Sequence, residues 1–208
     1  MVSLDLRLYV VTDRLQAVDR GVPATVRAAI EGGATVVQLR DKDAGTRDLV
    51  RRARELLDVC RPAGVPMLVN DRVDVALAAG ADGVHLGQDD MGVADARRLL
   101  GPDAIVGVSV RDLAEVEAAE REGASYLAAN GVWATATKTD FGAPLGLDGL
   151  RALVAASRLP MIAIGGVNLE TAPAIASAGC AGIAVVSAVM KAEDPRQACV
   201  SLRRAFGR

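Results

Sequence analysis

Residues 66–90 read PMLVNDRVDVALAAGADGVHLGQDD, and this stretch decides the fold. A proline opens it. A short apolar run follows at 67–70, then a helical segment at 73–79, then Gly80-Ala81 and a second short run at 83–86. Glycine ends helices in the left-handed conformation, and proline cannot continue one. The stretch therefore reads as strand, helix, strand, with a further helix predicted at 93–100.

The same punctuation recurs outward in both directions. Gly33-Ala34, Gly80-Ala81, Gly123-Ala124 and Gly179-Cys180 precede every second apolar run, and Pro66, Pro102 and Pro160 precede three of the others. The remaining strands are predicted at 6–12, 36–40, 105–109, 126–129, 161–164 and 183–186. The remaining helices are predicted at 22–31, 47–61, 113–122, 150–157, 169–178 and 195–206. Leu49, Ala53, Leu56 and Leu57 share one face of a 3.6-residue period, as do Ala198, Leu202, Ala205 and Phe206. The repeat is βαβα, about 45 residues long, used four times. Parallel strands covered by helices follow from it. The predicted class is α/β, a single (β/α)₈ TIM barrel over residues 1–208, with no linker or composition break. An open doubly wound sheet is the alternative, because sequence does not show closure. At 208 residues the chain is short for a barrel, which typically has about 250. Its loops must be short, apart from 130–147.

A net charge of −2 leaves no electrostatic footprint for nucleic acid. With no apolar run of 18 or more and no leader pattern, the expectation is a soluble protein without a membrane partner or export signal. Cys60, Cys180 and Cys199 show neither metal-ligand nor CxxC spacing, so they are expected to be buried apolar residues in a reducing cytosol. A homo-oligomer is compatible with the sequence.

In a barrel the active site lies at the C-terminal strand ends. Polar residues gather there: Gln38, Arg40, Asp41 and Lys42 after the second strand, Asn70 and Asp71 after the third, then His85, Gln88, Asp89 and Asp90. Ser109 follows on the fifth, Asn130 on the sixth, Gly165-Gly166 on the seventh and Ser187 on the eighth. Asp71 with Asp90 has the chemistry of a Mg²⁺ site completed by water and phosphate. Helix capping is the ordinary role for an aspartate in either place. Arg40, Lys42 and Lys138, with Ser109 as a neutral donor, suit a polyphosphate. Arg40-Asp41-Lys42 would otherwise be a surface cluster. Thr135 and Thr137 lie beside Lys138 in the long loop, where the chain spends one of its three lysines. Gly165-Gly166 and Val186-Ser187 sit where this fold often holds a monophosphate, with a short extra helix expected at 187–190. His85, the only histidine, fits a structural imidazole as well as an acid or base, and no catalytic role is assigned to it.

The motifs LYVVTDR, QLRDK, NDRVDVALAAGADGVHLGQDD, GVSV, TATKTD, IGGV and VVSA, in this order and spacing, resemble the thiamine-phosphate synthase family. The resemblance runs from about Leu8 to the last helix. It implies a Mg²⁺-dependent barrel transferase joining hydroxymethylpyrimidine pyrophosphate to thiazole phosphate, with release of pyrophosphate. It further implies that Gln38, Arg40, Lys42, Asn70, Ser109 and Lys138 contact the pyrimidine substrate. Asp71 and Asp90 would hold the metal, and Thr135, Thr137, Gly166, Val186 and Ser187 the thiazole phosphate. Two departures stand out. Arg111 replaces a histidine common in the family, and NGVWATATK lacks the prolines of the usual GPVFPTPTK. Rival readings are a thiazole tautomerase-like isomerase, another phosphosugar barrel enzyme and a non-catalytic thiamine-precursor binder.

Overall fold

The computed structural model describes residues 4–17, 20–133 and 143–207. Eight parallel strands close into a barrel in sequence order: β1 (Leu8–Val11), β2 (Val36–Leu39), β3 (Met67–Asn70), β4 (Gly83–Leu86), β5 (Ile105–Val110), β6 (Tyr126–Asn130), β7 (Met161–Ile164) and β8 (Gly182–Val185). Closure comes from the pairing of β1 with β8, Leu8 against Ile183 and Val10 against Val185. The open-sheet alternative is thereby removed.

Outside the strands lie α1 (Val22–Glu31), α2 (Thr46–Cys60), α3 (Val73–Ala79), α4 (Val93–Leu100), α5 (Leu113–Glu122), α6 (Gly146–Ala156), α7 (Ala172–Ser177), a short α8 (Ser187–Met190) and α9 (Pro195–Phe206). The punctuating glycines act as expected: Gly80 and Gly123 close α3 and α5 with φ of 72° and 89°. Two helices differ from their predicted spans by more than one residue at a boundary. The helix predicted at 169–178 starts later, at Ala172, because the Asn168 side chain accepts from the backbone N–H groups of Glu170 and Thr171 and holds a turn instead. The helix predicted at 150–157 begins earlier, at Gly146. The backbone N–H groups of Leu145 and Gly146 bond to the carbonyls of Gly131 and Val132, so the ends of the long loop meet and the helix starts at that junction. Among the described residues no helix is long and apolar enough to cross a membrane.

Two apolar layers result from the alternation of strand side chains. Outward-facing residues such as Val10, Val37, Val69 and Ile183 pack with Leu56, Leu57, Leu150 and Leu202 of the helices. Inward-facing residues, among them Leu6, Tyr9, Val36, Leu68, Tyr126 and Ile162, fill the barrel. All three cysteines are buried and outside any disulfide, and burial pushes the Cys60 and Cys199 thiols up to about 12, so they stay protonated.

Glycine appears inside the barrel where strands leave no room. A Cβ at Gly83 would overlap the backbone carbonyl of Ile105, which cannot swing aside as a side chain does. Gly83→Ala is expected to cost about 3 kcal/mol or more, or to prevent folding. Gly45→Ala, where a Cβ meets nothing within 4 Å, should cost no more than about 1 kcal/mol. Urea denaturation of the two variants checks the contrast.

Candidate active site

A cavity of about 260 Å³ opens at the C-terminal strand ends. Each strand delivers side chains to it by the same alternation that fills the barrel. Gln38 and Arg40 lie two residues apart on and after β2, Asn70 ends β3, and His85 lies on β4 opposite Asn70 in the register. Ser109 comes from β5 and Asn130 from β6, while Gly165 and Gly166 follow β7 and Val186 and Ser187 follow β8. The short helix expected at 187–190 is present as α8. Of the residues singled out by sequence, Gln38, Arg40, Lys42, Asn70, Asp71, Asp90, Ser109, Gly166, Val186 and Ser187 all line this one cavity. Thr135, Thr137 and Lys138 lie outside the described residues.

Asp41 is turned the other way. Its carboxylate pairs with Arg52 of α2 and lies 3.4 Å from Arg14 Nε, so it ties the β2–α2 loop to the outer shell while its neighbours face inward. The Arg40 N–H donates to Thr12 Oγ1 at 3.1 Å, a second tie on the same loop.

Asp71 and Asp90 are not helix caps. The residues in those positions are Arg72 for α3 and Gly92 for α4, neither with a side-chain capping bond. Asp112 and Asp194 do cap, on α5 and α9. Asp71 is held at φ 63°, the one positive φ among the described non-glycine residues, with its N–H donating to the His85 carbonyl at 2.8 Å. Aspartate tolerates this region better than most residues, yet it remains a costly choice that clusters at functional sites. Asp90 is fixed by the Gly87 N–H, which donates to its Oδ2 at 2.6 Å. Burial, reinforced by the side-chain hydrogen bond and charge of Asp90, pushes the Asp71 carboxyl up to about 6, against the opposing pull of Lys42 and Arg40. The two carboxylates thus share one place and face two cations. Among the described residues no group of three or more His, Cys, Asp or Glu is placed to hold a metal. The donor set is a carboxylate pair.

Below this charged rim runs a buried polar chain that sequence reading did not find. Gln38 Nε2 donates to the Tyr9 hydroxyl at 2.8 Å, and the Tyr9 and Tyr126 hydroxyl oxygens are 2.9 Å apart. Tyr126 Oη lies 2.8 Å from His85 Nδ1, and His85 Nε2 lies 3.0 Å from Ser109 Oγ. The chain therefore uses both tyrosines and the single histidine of the sequence. Burial raises the pKa of both phenols, so both remain protonated. Gly107 makes the geometry feasible. It lies between His85 and Tyr126 in the sheet register, and the Tyr126 ring covers the space a Cβ would take. One signal was available in sequence: Tyr126 is four residues before Asn130 and so shares its face. Nothing comparable marks Tyr9.

The fold and site together define a (β/α)₈-barrel enzyme with a cavity suited to anionic ligands. A family model described as thiamine monophosphate synthase matches residues 8–189. The thiamine-phosphate synthase of Chloroflexus aurantiacus is 54% identical over 96% of this chain and 92% of its own length. That of Azorhizobium caulinodans is 48% identical over 96% of this chain and 94% of its own. The solved thiamine phosphate pyrophosphorylase of Pyrococcus furiosus superposes with a TM-score of 0.88 at 42% identity, covering 98% of this chain and 96% of that one. The chain belongs to the thiamine-phosphate synthase family, enzymes of thiamine biosynthesis.

Gly107→Ala should displace the Tyr126 ring and cost about 1–3 kcal/mol. Urea denaturation measures the loss, and an unchanged midpoint would show that the ring has room to move.

Proposed function

We propose that this chain condenses hydroxymethylpyrimidine pyrophosphate with thiazole phosphate, giving thiamine phosphate and pyrophosphate, and that it requires Mg²⁺. The observation that carries the reading is the carboxylate pair Asp71–Asp90 set against Arg40 and Lys42 at one cavity rim. Two close carboxylates repel each other unless a cation or proton intervenes. Two carboxylates, with water and phosphate oxygens completing the shell, are the usual protein share of a Mg²⁺ site. When bound, the ion would offset negative charge growing on the leaving pyrophosphate.

The protein's own groups account for the rest. Arg40 and Lys42 meet pyrophosphate oxygens, and Lys138 joins them in the reading by resemblance. Their contribution increases as the carbon–oxygen bond breaks, because the leaving group gains charge. Gln38, Asn70 and Ser109 orient the pyrimidine, whose amino group shares the cation left behind. Gly166, Val186 and Ser187, with Thr135 and Thr137, hold the thiazole phosphate so that the ring nitrogen can attack. Positive φ at Gly165 and Gly166, 100° and 69°, suits a backbone turned toward a ligand. No protein nucleophile is needed. A thiazole tautomerase-like isomerase has no use for the acidic pair. Three buried cysteines outside any disulfide fit a cytosolic enzyme.

The test mixes both substrates with Mg²⁺ and follows thiamine phosphate and pyrophosphate; no product from the folded protein refutes the proposal. Millimolar Mg²⁺ should also raise the thermal unfolding temperature of the ligand-free protein, since an ion that binds only the folded state stabilises it. Asp71→Asn and Asp90→Asn should each abolish that rise and slow turnover. An undiminished rise in both would remove the pair from the metal site.

Gly166→Val separates the two phosphates. A side chain there should raise the thiazole phosphate KM and leave that of the pyrimidine substrate unchanged. A change confined to the pyrimidine substrate would mean that the two sites are reversed.

A further inference from the structure

Three of the buried polar side chains among the described residues line the cavity: Gln38 at 4% exposure, and His85 and Asn130 at 8% each. Gln38 is tied to Tyr9, and His85 to Tyr126 and Ser109. Asn130 is the exception. No described residue donates to its side-chain amide or accepts from it. An asparagine that precedes a glycine at a strand end ordinarily turns its side chain back onto the next backbone N–H groups. Asn168 makes such a turn, accepting from Glu170 and Thr171. Asn130 does not, because the N–H groups that follow it are taken: Gly131 and Val132 both donate to the Ile164 carbonyl, at 2.9 and 3.3 Å. Its side chain instead continues the inward row of Tyr126 and Ala128. The cavity wall around it, Ala128, Ile162, Ile164 and Ala184, is apolar and cannot satisfy an amide. Buried polar groups are rarely left without a partner, so this one is built to find its partner in the cavity.

We propose that Asn130 is a residue of the pyrimidine subsite and that its side-chain amide hydrogen-bonds the aminopyrimidine ring. The proposal rests on the reading of the reaction given above and adds a contact to it. Depth is the first argument. Asn130 is buried like Gln38 and His85, whereas Arg40, Lys42, Asp71 and Asp90 are more exposed, as are Gly166 and Ser187. The amide therefore lies below the groups that meet phosphates, at the level of a ring. Chemistry is the second argument. The thiazole ring nitrogen keeps its lone pair for attack, and the phosphate of that substrate is held higher up. An aminopyrimidine carries N–H donors and ring-nitrogen acceptors, which match the acceptor and donor of a carboxamide. Strand β6 stands across the ring of eight from β2, so Asn130 meets the pyrimidine from the side away from Gln38.

The experiment reads binding without turnover. Wild type is titrated calorimetrically with hydroxymethylpyrimidine pyrophosphate, inorganic pyrophosphate and thiazole phosphate, each alone in the presence of Mg²⁺. The titrations are repeated on Asn130→Leu, which keeps the shape of the side chain and removes both polar atoms. That variant should lose about tenfold in affinity for the pyrimidine pyrophosphate and keep its affinity for the other two. Its urea midpoint should be unchanged or higher, because in the free protein the amide has no protein partner to lose. Unchanged affinity for the pyrimidine pyrophosphate, an equal loss for inorganic pyrophosphate, or a loss confined to thiazole phosphate overturns the proposal. Asn130→Ala, which cannot crowd the wall, should show the same selective loss whether or not the leucine variant folds. Wild-type affinities in the alanine variant overturn the proposal as well. Failure of the reaction reading would appear separately, as folded wild type that makes no thiamine phosphate.

Discussion

A closed ring of eight parallel strands has an interior only wide enough to be filled by its own side chains. Everything about this site follows from how that narrow space is divided. Leu6, Val36, Leu68 and Ile162 fill part of it with apolar volume. In the middle two tyrosines fill it with rings while carrying hydroxyls that must be satisfied. The room they need exists because β5 has glycine where a neighbouring strand would have a side chain. The polar chain is therefore also a packing solution. The aromatic rings fill the interior, and their hydroxyls connect Gln38 on one side, through His85, to Ser109 on the other.

Charge accumulates only at the top, where solvent begins. Asp71 and Asp90 come from adjacent strand ends, and Arg40 and Lys42 from the strand before them. Burial, and after it the neighbouring Asp90 carboxylate, push the Asp71 pKa up. The fold retains the arrangement by holding Asp71 in a left-handed conformation and clamping Asp90 at Gly87. Such local cost clusters at functional sites. On the outer side, Asp41 pairs with Arg14 and Arg52, so one short loop carries inward cations and an outward anchor.

The departures from the family pattern also find physical partners. The backbone N–H of Arg111 donates to Glu115 Oε2 at 2.6 Å, and its guanidinium donates to the Ala143 carbonyl at 2.7 Å. Ala143 stands at the start of the stem leading into α6. The long arginine side chain spans from the β5 end to that stem. Trp133 closes the other stem, its N–H donating to the Gly165 carbonyl at 3.2 Å.

Sequence by itself determined the number and order of strands and helices, because apolar runs and glycine–proline punctuation reflect local backbone preferences. It also placed the rim residues. Once the strands are parallel and the barrel is assumed, each strand's C-terminal end faces the same mouth. Closure, however, depends on Leu8 meeting Ile183, a pairing between the two ends of the chain that no local pattern encodes. The direction of Asp41, away from its neighbours Arg40 and Lys42, depends on where α2 places Arg52. The roles of Tyr9, Tyr126 and Gly107 depend on register, since two residues far apart in sequence form a hydrogen bond only when the strands between them fix their height in the barrel. Spacing can show that residues share a face; only tertiary structure shows which residues meet across the interior.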